Sequence, residues 1–221
     1  MASEKGDWIF VKENEKNYNI EHFVIPEHYE GDVSNVLIPH GLILDRIEKL
    51  ARQILSQYTD RLVVCCVLKG GHQFFADLVG FLKKYTTKEG KHLPIALDFI
   101  RVKSYENDTS SGSVHISMSE KELKALKGRD VLIVEDIIDT GRTMVALLDH
   151  LKKYELKSIK VASLFVKRTH LSNGFTPEYV GFSVPDVFIV GYCLDYNDYF
   201  RDLDHVCSIS PAGQKKYFSV D

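Results

Sequence analysis

The sequence lacks the features that would direct it to a membrane or to a nucleic acid. No run approaches the roughly 18 apolar residues that a membrane-spanning helix needs. The segment 1–17 has no apolar core of the kind found in signal peptides, so we expect a cytoplasmic protein with no membrane partner. The net charge of −3 at pH 7, without a long run of Lys or Arg, argues against a nucleic-acid partner.

Cysteine and histidine occur, but not in metal-binding patterns. The four cysteines show no CxxC spacing, and the nine histidines show no HExxH spacing. Cys65, Cys66 and Cys207 lie in apolar runs and Cys193 directly follows one, so we predict buried, reduced thiols. A structural zinc site is therefore not expected.

Apolar runs alternate with amphipathic segments along the chain, without a repeat or a Pro/Ser-rich linker. Leu62–Leu68 (LVVCCVL) predicts a strand buried on both faces, and Gly70-Gly71 predicts a sharp turn after it. Helices are predicted at Gly41–Tyr58, Phe74–Tyr85 and Thr143–Tyr154, and further strands at Ile95–Val102, Val131–Glu135, Ile159–Val166, Tyr179–Phe182 and Val187–Tyr192. The alternation predicts an α/β fold with a mainly parallel sheet flanked by helices.

One long segment interrupts this pattern. Lys103–Met118 (KSYENDTSSGSVHISM) is polar and rich in Ser and Gly. A loop of this length inside a compact domain is usually functional or disordered. Ligands of parallel sheets bind where the carboxyl ends of the strands meet, so a ligand site is expected at the strand ends.

The strand Val131–Glu135 ends in two adjacent carboxylates, Glu135 and Asp136. After two apolar residues follows the turn Asp139-Thr140-Gly141-Arg142-Thr143, and then a predicted helix. Threonine hydroxyls, a glycine that permits a tight turn and the N–H groups of a helix start form an anion cradle. The turn matches neither the P-loop pattern nor GxGxxG.

Three carboxylates beside an anion cradle would repel a bare phosphate. The ligand should therefore also bring hydroxyls, a metal ion or a positive centre, and a phosphorylated ribose with Mg²⁺ brings all three. A solvated acidic turn in which Asp139 merely caps the helix is the simpler alternative. That alternative is competitive for one residue, but it is much weaker for the fourteen residues Val131–Met144 together.

These fourteen residues, VLIVEDIIDTGRTM, resemble the phosphoribosyl-pyrophosphate signature of the type I phosphoribosyltransferases, in particular of the hypoxanthine- and guanine-using members. The similarity runs from about His22 to Tyr217, through IPHGLILDRIEKLA, LKGG, FIRVKSY, KVASLFVKRT and VGYCLDYNDYFRDLDHVC. Arg142 departs from the family, in which lysine is frequent there. The resemblance implies one domain over 1–221, with a core at about 37–190 and a small hood from about 1–36 and 191–221.

The resemblance also implies a reaction and its residues. The phosphoribosyl group would pass to N9 of hypoxanthine or guanine, giving IMP or GMP and pyrophosphate, with Asp139 as general base if it is partly desolvated. The ribose and its phosphate would be bound by Glu135, Asp136, Thr140, Gly141, Arg142 and Thr143, the purine by Lys167, Phe188, Ile189 and Asp195, and pyrophosphate by Lys69, Gly70 and Arg201. Mg²⁺ would be held by Glu135, Asp136 and Asp195, and a mobile lid would include Ser104 and Tyr105.

Three of these residues have simpler alternatives. The Lys167 ammonium group carries only hydrogen-bond donors, so it would select an acceptor at purine C6 and reject the adenine amino group. Considered by itself, however, Lys167 could be a surface lysine. Phe188 would stack on the purine, although a core phenylalanine is nearly as good an interpretation. Arg201 could instead form a surface ion pair with Asp202 or Asp204.

The Lys69 turn would supply backbone N–H groups to pyrophosphate, through an unusual cis peptide.

Two other functions compete with this transfer reaction. A regulatory protein could keep the fold and bind nucleotides without turnover, but binding alone would not need Asp139, Lys167 and Arg201 together. The sequence poorly distinguishes a transferase that prefers another base, such as xanthine. Xanthine differs from the other 6-oxopurines at C2, where backbone groups make many of the contacts that recognise the base. The resemblance further implies a homodimer or homotetramer, with the turn at Lys69 near a subunit interface.

Overall fold

The computed structural model describes residues 6–13, 18–104 and 114–218. Its helices are α1 (His40–Leu55), α2 (His72–Lys84), α3 (Glu120–Ala125), α4 (Arg142–Leu151) and α5 (Pro211–Lys216). Its strands are β1 (Ile9–Phe10), β2 (Val33–Ile38), β3 (Leu62–Leu68), β4 (Ile95–Ser104), β5 (Val114–Ile116), β6 (Asp130–Ile138), β7 (Ser158–Lys167), β8 (Tyr179–Val184), β9 (Ile189–Val190) and β10 (Val206–Ile209). Within these described ranges, no helix is long and apolar enough to cross a bilayer.

Seven strands form the main sheet in the order β1-β8-β7-β6-β3-β4-β5. All neighbouring pairs are parallel except β4 with β5, which are antiparallel. The prediction of a mainly parallel sheet flanked by helices is therefore confirmed. The predicted bounds of β3, the central strand with the continuous apolar run, match the structure residue for residue.

Residues of β3 alternate between the two faces of the sheet, and each face has its own hydrophobic core. Leu62, Val64 and Cys66 pack with α1 and α2, whereas Val63 and Cys65 pack with α3 and α4. All four cysteines are buried and unpaired, as predicted. Burial raises the pKa of the Cys66 and Cys207 thiols to about 12, so these cysteines stay protonated at neutral pH.

A second sheet of three antiparallel strands, in the order β2-β10-β9, joins segments from near both ends of the described chain. This small sheet corresponds in part to the predicted hood. The segment 1–36 does not belong to it as a whole, because β1 adds to the main sheet, where Ile9 pairs with Phe182. The strand predicted at Val187–Tyr192 is only Ile189–Val190, and it lies in the small sheet. The complete division into core and hood stays a prediction.

The segment Lys103–Met118 is not a loop over its whole length. Backbone pairing continues β4 to Ser104 and returns antiparallel through β5, where Val102 pairs with Ile116 and Ser104 with Val114. The prediction failed there because three residues, VHI, are too short to display a strand period. Tyr105 lies outside the described residues, and the lid stays a prediction.

A buried arginine joins α1 to the main sheet. Arg46 donates from Nε to the Gly181 carbonyl (3.0 Å) and from Nη2 to the Val180 carbonyl (2.8 Å) of β8. We expect Arg46→Met to lower the free energy of unfolding by about 2–4 kcal/mol, because two buried carbonyls lose a charged donor. Urea denaturation followed by circular dichroism measures this change.

The matched control is Arg52→Met on the exposed face of the same helix, where Arg52 forms a surface ion pair with Glu48 and stacks on the Tyr85 ring. Exposed pairs of this kind contribute little, so this variant should unfold close to the native midpoint. Equal losses in the two variants would contradict the role assigned to Arg46.

Candidate active site

The carboxyl end of β6 carries two adjacent carboxylates that lack a cationic partner. Glu135 and Asp136 are half-buried, and among the described residues neither forms an ion pair. Burial and the neighbouring charge of Asp136 raise the pKa of Glu135 well above its usual value, and burial raises the pKa of Asp136. The Asp136 carboxylate accepts the Ile137 N–H (2.7 Å) at its own strand end and lies beside the Glu135 carboxyl group. A ligand that brings hydroxyls or a cation would satisfy this pair.

The turn after β3 packs directly against this acidic pair. A Cβ atom at Gly70 would collide with the Asp136 carboxylate, and one at Gly71 would collide with the Val67 carbonyl. Glycine is therefore required at Gly71 by the close approach of the backbone, whereas a side chain at Gly70 would force the Asp136 carboxylate to move. The Leu68–Lys69 peptide is cis, as the resemblance implied.

The predicted phosphate turn begins helix α4. Gly141 is the N-cap, with φ +79°, and the first-turn N–H of Arg142 donates to the Thr140 Oγ1 at 3.5 Å rather than to Asp139. The alternative that Asp139 caps this helix is therefore wrong. Thr140 is partly exposed, whereas Arg142 and Thr143 are exposed. The unpaired N–H groups of the first turn can thus bind an anion from solvent.

Asp139 and Lys167 meet across the neighbouring ends of β6 and β7. The Lys167 Nζ lies 3.0 Å from the Asp139 Oδ2, and the lysine side chain is only 14% exposed. Lys167 is thus not a surface lysine. The Asp139 side chain is 52% exposed, so the partial desolvation expected of a general base is not supplied by this chain alone and would have to come with the ligand.

Three of the residues predicted to bind the purine, Phe188, Ile189 and Asp195, follow β8, whose last residue, Val184, pairs with Lys167. Phe188 is 49% exposed and makes an edge-on contact with Tyr196, with ring centroids 5.3 Å apart. The alternative of a core phenylalanine is therefore wrong, and one face of this ring can receive a ligand. Ile189 is buried, and its backbone pairs with Ser208 of β10.

Arg201 is tied to residues other than those considered from the sequence. Its Nη2 lies 2.8 Å from the Asp195 Oδ1 and 3.0 Å from the Asp198 Oδ1, and its Nη1 donates to the Cys193 carbonyl (2.8 Å). Asp202 instead accepts hydrogen bonds from His28 and Tyr29. The proposed pairing of Arg201 with Asp202 or Asp204 is therefore wrong.

Lys69 reaches the same acidic residue as Arg201. The Lys69 Nζ lies 3.0 Å from Oδ1 and 3.2 Å from Oδ2 of Asp198. Sequence reasoning missed Asp198, although its place after Asn197 carries a signal, since both residue types tolerate positive φ in tight turns.

Backbone strain is concentrated in this part of the site. The described residues include six non-glycine residues with positive φ, and five lie between 192 and 200: Tyr192, Cys193, Asn197, Asp198 and Phe200. Such conformations are uncommon outside glycine and cluster at functional sites.

The predicted metal ligands do not form one compact cluster. No three His, Cys, Asp or Glu side chains of the described residues are grouped so as to hold a metal ion. Glu135 and Asp136 lie together, whereas Asp195 is engaged by Arg201. This donor set fits Mg²⁺ that binds through one or two carboxylates and takes its other oxygens from water and substrate.

Comparisons with known proteins identify the family of this chain. A family model for the phosphoribosyl transferase domain matches residues 35–197. The hypoxanthine-guanine phosphoribosyltransferases of Cricetulus griseus and Homo sapiens are each 50% identical to the chain over 210 residues, which cover 95% of this chain and 96% of theirs. The crystal structure of hypoxanthine-guanine phosphoribosyltransferase from Schistosoma mansoni in complex with IMP superposes with a TM-score of 0.81 at 39% identity, covering 96% of this chain and all of that one.

Proposed function

Because the chain belongs to the phosphoribosyltransferase family, we propose that the carboxyl edge of its main sheet is the active site for phosphoribosyl transfer. Its reaction is that of the hypoxanthine-guanine members. The 5-phosphoribosyl group passes from phosphoribosyl pyrophosphate to N9 of hypoxanthine or guanine, which gives IMP or GMP and pyrophosphate. The observation that carries the assignment of residues is the contact between Asp139 and Lys167.

The spacing of these two side chains suits one edge of a 6-oxopurine. That edge presents N7 and O6 side by side, and a purine protonated at N7 offers a donor next to an acceptor. Asp139 accepts the N7 proton and Lys167 donates to O6, so the base enters between two groups that bind each other in its absence. An entering purine also shields Asp139 from water.

The transfer step follows from these positions. The bond from C1′ to the pyrophosphate oxygen breaks and its electron pair leaves with pyrophosphate, while N9 bonds to C1′ and the purine proton passes to Asp139. Positive charge develops on the sugar in the transition state, and the carboxylates of Glu135 and Asp136 stabilise it. The same carboxylates bind the ribose hydroxyls, and Thr140–Thr143 bind the 5′-phosphate.

Mg²⁺ is the cofactor that the site fits best. Glu135 and Asp136 would hold it together with the ribose oxygens, and Asp195 would hold a second ion on the pyrophosphate side. Bound Mg²⁺ supplies positive charge that neutralises the leaving pyrophosphate. The unpaired state of the two β6 carboxylates supports this assignment.

The remaining roles concern the base and the leaving group. Phe188 stacks on the purine with its exposed face, and the Ile189 backbone contacts the base edge. Backbone N–H groups at Lys69 and Gly70, together with the Arg201 guanidinium, bind pyrophosphate. The segment with Ser104 and Tyr105 closes over the site and excludes water. Buried, unpaired cysteines support a reducing, cytoplasmic location.

We also propose that the chain forms a homo-oligomer through β4. Leu97 and Phe99 are two residues apart and therefore lie on the same face of this strand. Their exposed fractions are 49% and 48%. Phe99 packs on the buried Phe75 of α2, with ring centroids 5.3 Å apart, so the exposed apolar side chains of β4 are held in place and can be buried against a second copy.

Asp139→Asn tests the general base. The amide cannot take up the N7 proton, so we expect turnover to fall by roughly 10²–10⁴-fold while the KM for phosphoribosyl pyrophosphate changes little. A spectrophotometric assay with guanine, Mg²⁺ and phosphoribosyl pyrophosphate measures both constants. Asp149→Asn, which removes a carboxylate paired with Lys152 on the surface of α4, is the control. Native turnover in Asp139→Asn would refute the base assignment.

Lys167→Ala tests the reading of the 6-oxo group. We expect the KM for guanine and hypoxanthine to rise by roughly 10- to 100-fold, the loss for one charged hydrogen bond, with a much smaller change for phosphoribosyl pyrophosphate. Lys160→Ala, at the other end of β7, should leave both constants close to native. The same assay compares hypoxanthine, guanine, xanthine and adenine. Adenine used as well as guanine by the native protein would refute the selectivity argument.

The double variant Leu97→Asp/Phe99→Asp tests the oligomer. Burying two new carboxylates in an apolar contact is costly, so we expect the variant to be a monomer by light scattering where the native chain is a dimer or tetramer. Leu171→Asp, at a loop position 54% exposed, is the control and should keep the native mass. An unchanged mass in the double variant would exclude this surface.

A further inference from the structure

Asp198 forms ion pairs with Lys69 and Arg201, the two cations to which we assign pyrophosphate binding. Its carboxylate lies 3.0 Å from the Lys69 Nζ, and its Oδ1 accepts from the Nη2 (3.0 Å) and the Nε (3.3 Å) of Arg201. The edge of a guanidinium formed by Nε and one Nη is the edge that binds a phosphate in a bidentate manner. In the ligand-free chain this edge is filled by a carboxylate of the protein.

No other edge of Arg201 is open to a phosphate. Its Nη1 donates to the Cys193 carbonyl (2.8 Å), and its Nη2 also lies 2.8 Å from the Asp195 Oδ1. Two cations and two carboxylates therefore form a neutral group. Pyrophosphate can reach the guanidinium only after one of the two carboxylates has moved away.

Asp198 is the carboxylate placed to move. Its side chain is 64% exposed, against 31% for Asp195. It stands at the tip of a hairpin closed by two backbone hydrogen bonds between Tyr196 and Tyr199, at 3.1 and 3.2 Å. Asn197 and Asp198 both have positive φ, the pattern of a type I′ turn. The turn therefore directs an exposed carboxylate onto the two cations at a cost in backbone strain.

We propose that Asp198 is an internal competitor of pyrophosphate that keeps Lys69 and Arg201 paired in the empty site and promotes release of the product. This inference rests on the proposed role of Lys69 and Arg201 in pyrophosphate binding. The opposite role, in which Asp198 only holds the two cations in place for the ligand, makes the opposite prediction: its removal would weaken pyrophosphate binding.

Asp198→Asn decides between the two roles. Asparagine tolerates positive φ as aspartate does, so the turn is kept while the competing charge is lost. We expect inorganic pyrophosphate, titrated calorimetrically in MgCl₂ into the full chain, to bind about 3- to 30-fold more tightly, as expected for two exposed ion pairs that no longer need to be broken. The dissociation constant for GMP should stay unchanged. Unchanged or weaker pyrophosphate binding would overturn the proposal.

Three further variants make the result specific. Asp204→Asn removes the same charge from an exposed residue near Arg201 in the chain and should leave the pyrophosphate constant as in the native chain. Asp198→Glu keeps the charge and should stay near the native value. Arg201→Gln should weaken pyrophosphate binding, and adding Asp198→Asn to it should then give less gain than in the native background. If Arg201→Gln leaves pyrophosphate binding intact, the pyrophosphate site itself is misassigned; if only Asp198→Asn fails, the competitor role alone is wrong.

Discussion

The parallel register of β3, β6 and β7 is the constraint on which the site depends. Cys66 pairs with Val134, and Val134 pairs with Ala162, so the three strands run in step and end at one edge of the sheet. The turn at Lys69, the carboxylates after Val134 and the lysine that ends β7 must then lie side by side. Charged groups that are about 100 residues apart along the chain become neighbours because buried, apolar strands fix their positions.

Some charged side chains of the site are paired with opposite charges of the protein, and others are not. On the base side, Asp139 and Lys167 bind each other, and on the pyrophosphate side Lys69 and Arg201 are matched by carboxylates. Glu135 and Asp136, by contrast, form no ion pair with any described residue, although the Arg201 charge acts on Asp136. With the roles proposed above, substrate binding is mainly an exchange of partners for Asp139, Lys167, Lys69 and Arg201, and a gain of partners for the two carboxylates proposed to bind the sugar. Exchange keeps affinity moderate, which suits an enzyme that must release its products.

The sequence was most informative where a feature is local. The buried run of β3, the acidic end of β6 and the glycines after β3 could all be predicted, because burial, turn chemistry and helix starts depend on neighbouring residues. Lys167, Phe188 and Arg201 could not be decided from the residues alone, since exposure and pairing depend on distant contacts. Asp198 was missed for the same reason: its partner Lys69 lies 129 residues earlier. The strands β1, β2, β5 and β10 were missed; β1 and β5 have only two and three residues, which is too short to show a period.

The small sheet has a consequence for the order in which the molecule is completed. Its middle strand is β10, Val206–Ile209, and β9, which directly follows Phe188, pairs with no strand other than β10 among the described residues. During synthesis the main sheet can assemble first, because the last of its strands ends at Val184. The strand that follows the proposed purine residue Phe188 gains its partner only when β10 leaves the ribosome. If the proposed roles hold, a nascent chain halted before Val206 would carry the proposed sugar-phosphate half of the site without a completed half for the base.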